Sequence, residues 1–153
     1  MTHLTVTRQG QPEPTRVVLE LMLQAWARQD FDEAAAWFAD NAVYVLHLPT
    51  AVVATGGENR GRAAARRAFL SQPQIWRHCA FEPVLRPTDG DTVRATVRFA
   101  YLHVPSGEVL EGRKQLCATV ALRRVQRLEE FHDEALVEAF LRYVDWRSNQ
   151  AEA

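Results

Sequence analysis

Apolar positions along this chain alternate between helical and strand spacing. From Pro14 onward they recur at helical spacing. Val17, Val18, Leu21, Met22, Ala25 and Trp26 fall three and four residues apart, which predicts an amphipathic helix over 14–28. Asp30, with Glu33 three residues later, reads as a capping box opening a second helix over 31–38, which carries Ala34, Trp37 and Phe38. Asp40-Asn41 breaks that helix. The segment AVYVLHL (42–48) is rich in β-branched and aromatic residues and predicts a strand. Residues 49–61 read as a loop with Gly56-Gly57 at a turn, and RAAARRAFL predicts a short helix near 61–70. The next strand, CAFEPVLR, contains Pro83, which places it at a sheet edge or a bulge. Asp89-Gly90 then turns into three long strands over 91–132, with Pro105-Ser106-Gly107 at their first turn. The join near Arg123-Arg124 has no Gly or Pro. Helical spacing returns in EALVEAFLRYV. Helices first and a long antiparallel meander last is an α+β plan, in which the sheet curls round a helix and leaves an apolar hollow.

Composition narrows the function classes. The chain has 153 residues, 47% apolar and 24% charged, as expected of one globular domain. Its formal charge of −1 gives no field that would attract nucleic acid or an anionic membrane. Cys79 and Cys117 lie in strand-like runs and predict buried free thiols, which fits a reducing compartment. The first 13 residues read as a frayed polar leader without the apolar core of a secretory signal, so a cytoplasmic protein is expected. The single domain is expected to have its core over about 14–145, with 1–13 and 146–153 as flexible ends. The five His residues show no metal-ligand spacing with acids, so neither metal nor cofactor is expected.

Three runs, in order, carry a resemblance: DFDEAAAWFADNAVYVLHLP, GGENRGRAAARRAFL, and a meander closing on LEEFHD. Together they resemble the SnoaL-like branch of the NTF2-like superfamily, which includes ketosteroid isomerases, limonene epoxide hydrolases and polyketide cyclases. The resemblance implies a cystatin-like cone, a curved antiparallel sheet around the N-terminal helices with an internal pocket. It also implies a homodimer through the outer sheet face. The catalytic patterns depart from it. Where ketosteroid isomerases place a Tyr and two acids, this sequence has Met22, Leu46 or His47, and a position near Ala118. Of the limonene epoxide hydrolase set, one acid falls on Glu130, and the Arg-x-Asp pair would fall near Arg98-x-Ala100.

Strand alternation supplies further candidates. Glu130 shares a face with Leu128 and His132, and Tyr101 and His103 share one with Val97 and Phe99. If those faces are concave, the polar groups converge. His47, Glu130 and His132 are the candidate acid–base residues, because a His beside a carboxylate titrates near neutrality. Trp26, Phe38, Tyr101 and His103 are the candidate ligand-binding residues. Arg62, Arg66 and Arg67 read as a solvated helix face. Two functions stay open. One is an isomerase, cyclase or hydrolase acting on a small hydrophobic molecule. The other is a non-catalytic ligand-binding or dimeric association module.

Overall fold

The computed structural model describes residues 14–152, and the leader expected over 1–13 lies outside them. Helix α1 (Pro14–Ala27) buries Val18, Leu19, Met22, Leu23, Ala25 and Trp26. This stripe is rotated from the expected one, since Leu19 and Leu23 face inward and Leu21 is exposed. The run VVLELMLQAWA offers two overlapping apolar faces, and packing selects between them. Gln29, in the left-handed conformation (φ 66°), ends the helix region. Asp30 then caps α2 (Phe31–Ala35), its Oδ1 accepting the Glu33 N–H at 3.1 Å. The reciprocal half of the capping box is absent, because the Glu33 carboxylate pairs with Arg28. α2 stops before the expected residue 38 because the sheet claims Phe38, which pairs with Val125 while Val125 N–H donates to the Trp37 carbonyl at 2.8 Å.

The remaining elements are β1 (Phe38–His47), β2 (Gly57–Arg60), α3 (Arg62–Leu70), α4 (Gln72–Ile75), β3 (Trp76–Leu85), β4 (Thr92–His103), β5 (Val109–Ala121), β6 (Arg124–Phe131) and α5 (Glu134–Glu152). The six strands form one sheet in the order β2-β1-β6-β5-β4-β3. β4, β5 and β6 are the expected antiparallel meander, and Pro83 lies on the edge strand β3. β1 runs parallel to β6, so the sheet is mixed rather than wholly antiparallel. β2 lies inside the segment expected to be loop, and α5 continues past the expected core end to Glu152. Cys79 is exposed and Cys117 half-buried, so neither is the buried thiol expected. Arg62 and Arg66 hold Asp40 and Asp32 on an exposed surface. Among the described residues no helix is long and apolar enough to cross a membrane.

The β5–β6 join is a two-residue turn in which Leu122 (φ 52°) and Arg123 (φ 59°) are both left-handed. L-residues with a Cβ are strained there, and Asn-Gly is the favoured pair. Leu122 is 94% exposed, so its side chain gains nothing from packing. The double variant Leu122→Asn/Arg123→Gly is expected to raise the unfolding free energy by about 1–2 kcal/mol in urea titration.

The concave face follows strand alternation. Leu110, Lys114, Leu116, Ala118 and Val120 of β5 are buried, and so are Val93, Ala95, Val97, Phe99 and Tyr101 of β4. Gly112 lies directly opposite Phe99, and a Cβ there would meet the Phe99 ring at 3.1 Å and Leu136 at 3.3 Å. The missing side chain therefore lets the Phe99 ring lie against the β5 backbone. At the deep end, Trp26, Phe38 and Tyr44 pack round Phe69, with ring centroids 4.7, 5.8 and 5.9 Å from it.

Candidate functional site

One basic residue on β5 points into the core. Lys114 follows the inward phase of Leu110 and Leu116 and is almost fully buried. An ammonium without water needs a counter-charge and hydrogen bonds. Leu116 pairs with Glu130 across β5–β6, and Leu46 pairs with Glu130 across β1–β6, so the glutamate sits at the centre of the concave face. Lys114 Nζ donates to Glu130 Oε1 at 2.5 Å. The ammonium also lies 4.1 Å from the Trp26 ring centroid, with Phe81 and Tyr101 at 5.3 and 5.4 Å.

The other carboxylate oxygen is equally engaged. Tyr44 O–H donates to Glu130 Oε2 at 2.9 Å, and Gln72 Nε2–H donates to the Tyr44 hydroxyl at 3.1 Å. His132 Nε2 lies 3.4 Å from the same Oε2. Burial alone would push the Glu130 carboxyl up, but the Lys114 ammonium and His132 outweigh it and hold it well below the usual carboxylate range. Burial works against the Lys114 ammonium too, yet Glu130 more than compensates and its pKa is raised. Burial, reinforced by Glu130, drives the Tyr44 phenol well above its ordinary value. The site is thus an ion pair beside a neutral tyrosine.

These groups line a cavity of about 100 Å³. Leu46, Leu48, Val53, Trp76, Leu110 and Val137 form its apolar wall, and Thr55, Ser71 and Gln72 lie at its polar margin. Two polar atoms on its lining residues are unsatisfied. His132 Nδ1 is buried with no hydrogen-bond partner among the described residues, and the Tyr101 hydroxyl, whose oxygen faces the Lys114 ammonium, has no acceptor for its proton. Burial raises the Tyr101 pKa, with the Lys114 charge opposing in part, so the phenol remains a neutral O–H donor. Behind it, His78 stacks on Tyr101 at 5.1 Å, and burial lowers its pKa to about 4, so it is neutral at pH 7.

The expected site residues divide between cavity, core and surface. Glu130, His132 and Tyr101 line the cavity together. Trp26 and Phe38 are fully buried core, Trp26 beneath Lys114 and Phe38 beside Tyr44. His47 lies outside the cavity. It is exposed, stacks on Phe131 at 4.1 Å, and has Nε2 3.1 Å from Glu129. The open choice of register on the first strand resolves to Leu46, because Tyr44, Leu46 and Leu48 share the inward phase. His103 lies at the β4 end, its Nδ1 2.7 Å from Ser106 Oγ, in a groove against α5 rather than in the cavity. Lys114, Tyr44 and Gln72 were not among the expected residues. The visible signal for Lys114 was a lone lysine in the inward phase of Leu110, Leu116, Ala118 and Val120. Tyr44 likewise stood in phase with Leu46. No sequence pattern marked Gln72.

A curved, open six-stranded sheet on helix α1, with a polar cluster in its concave cavity, defines an NTF2-like α+β fold. The chain belongs to the SnoaL-like domain family, whose pattern it matches over residues 19–124. That match ends at Arg124, the first residue of β6, the strand that carries Glu130. Among solved structures, the chain is similar to a candidate isomerase from Rhodopseudomonas palustris, with 15% identity, TM-score 0.71, and 85% of this chain and 98% of that one covered. An NTF2-like protein from Burkholderia thailandensis matches with 20% identity, TM-score 0.69, and coverage of 84% and 97%. A protein with a ketosteroid isomerase-like fold from Catenulispora acidiphila, in complex with trimethylamine, matches with 13% identity, TM-score 0.66, and coverage of 80% and 89%. No curated protein matches the sequence.

Proposed function

We propose that this SnoaL-like domain binds a small, largely apolar carbonyl compound in its cavity and moves a proton at the carbon next to the carbonyl. The observation that carries the reading is the pair of unsatisfied buried atoms on one cavity, the Tyr101 hydroxyl and His132 Nδ1. Glu130 cannot itself be an effective base, since its carboxylate is held by Lys114 and Tyr44 and has little proton affinity. It can orient the neighbouring imidazole. With Nε2–H turned to Glu130, the Nδ1 of His132 presents a lone pair to the cavity. That lone pair takes the α-proton, and the C–H electrons move to the carbonyl oxygen. Tyr101 O–H donates a hydrogen bond to the resulting enolate oxygen. The imidazolium formed beside Glu130 is stabilised by its charge, and returns the proton to the same or another carbon. An isomerase or cyclase step begins in this way. The test is deuterium uptake at the α-carbon of methyl isopropyl ketone in D₂O, followed by proton NMR. Exchange is expected to accelerate with protein and to slow by about 10²-fold in Tyr101→Phe. Exchange no faster with protein than without it would refute the reading.

The outer sheet face supports a homodimer. It presents both signs of charge, with Arg98 opposite Arg113 and Glu82 opposite Arg98, and exposes Val84 and Phe131. A face with both signs of charge and exposed apolar side chains suits pairing with its own copy about a two-fold axis. Light scattering is expected to give twice the 17.4 kDa chain mass at micromolar concentration. A mass of 17.4 kDa would contradict it.

A further inference from the structure

The charge and size of the cavity narrow its ligand, an inference that rests on the proton-transfer reading of the same site. Lys114 and Glu130 carry opposite charges at 2.5 Å with almost no solvent access, and the tyrosines beside them are neutral. The buried site is therefore charge-balanced before any ligand enters. Glu130 Oε1 is engaged by Lys114, and Oε2 by Tyr44 with His132 alongside, so both carboxylate oxygens already have donors. Tyr101 O–H and His132 Nδ1 remain free. A charged ligand would lose its hydration without finding an unpaired counter-charge, and a carboxylate would sit beside Glu130. Size is the second restriction. The cavity volume of about 100 Å³ is of the same order as the ~150 Å³ of an apolar cavity that holds the six heavy atoms of benzene, and lies far below the ~300–1,000 Å³ of sites for larger ligands. Leu46, Trp76, Leu110 and Val137 are among the apolar side chains that bound it.

We propose that the cavity selects a compact, neutral carbonyl compound of about six heavy atoms, and rejects carboxylates of the same skeleton and fused-ring ketones. Glu130 is then a specificity-determining group, because it cancels the charge of Lys114. Leu110 is a second one, because it closes the wall.

Calorimetric titration with three probes tests this: methyl isopropyl ketone, its carboxylate isostere isobutyrate, and the fused-ring ketone tetralone. The ketone is expected to bind at least about tenfold tighter than isobutyrate, with tetralone showing no binding. Glu130→Gln removes the cancelling charge and should narrow or reverse the preference against isobutyrate. Leu110→Ala removes wall and should admit tetralone with at least about a tenfold gain. The Leu110 arm and the wild-type ranking decide the matter if the Glu130 variant does not fold. Isobutyrate or tetralone binding wild-type protein as well as the ketone does would overturn the selectivity while leaving the proton-transfer reading intact. Failure of all three probes, with no deuterium uptake, would overturn both.

Discussion

Lys114→Met is expected to lower the unfolding free energy by about 3–5 kcal/mol, the usual cost of removing one partner from a buried ion pair. Its ammonium is almost fully buried and is the counter-charge nearest Glu130. Methionine fills similar space over the Trp26 ring and leaves the carboxylate uncompensated. Adding Glu130→Gln should recover most of the loss, because a neutral amide oxygen still accepts the Tyr44 hydroxyl. The pH dependence gives a sign to check. In the wild type the Glu130 pKa is depressed in the folded state, so its contribution is complete above the unfolded value near 4.3 and is lost as pH falls below it. In Lys114→Met the burial that now opposes ionisation prevails, and the folded pKa rises above the unfolded one. That variant should therefore lose less relative to wild type at pH 5 than at pH 7. Urea titration at the two pH values measures it. Equal penalties at both, or a double variant no better than the single, would contradict the ion-pair account.

His132→Asn is expected to slow α-proton exchange by about 10²–10⁴-fold, the usual contribution of a positioned general base. Ketone affinity and stability should change little. The side chain is 11% exposed and its Nδ1 has no partner, so the smaller amide leaves no structural hydrogen bond of that atom broken. Asparagine can still face Glu130 with an N–H, but it has no basic lone pair to take a proton. Exchange unaffected by the substitution would remove His132 from the mechanism. Loss of affinity and folding along with exchange would make it a structural residue.

Alternation made the concave face legible from the sequence. Tyr101, Glu130 and His132 came from counting two along β4 and β6, and strand pairing does bring them to one cavity. The same counting fails where a register is not fixed locally. His47 and Leu46 differ by one residue, and pairing with β6 decides between them. It also fails where chemistry overrides pattern. Lys114 occupies an apolar phase, and reading it as buried requires knowing that Glu130 lies across β5–β6. Gln72 reaches Tyr44 from the four-residue helix α4, which has no apolar periodicity to announce it. The expected α2 runs three residues too far because Phe38 continues its apolar pattern, while its β-propensity and long-range pairing with Val125 place it in β1.

The crystal structure of the protein soaked with methyl isopropyl ketone tests the central claim most directly. The account predicts the ketone inside the cavity, its oxygen within hydrogen-bond distance of the Tyr101 hydroxyl and its α-carbon facing His132 Nδ1, with the Lys114–Glu130 pair intact. A ketone found outside the cavity, or a cavity holding only water while Tyr101 and His132 turn to solvent, would contradict it.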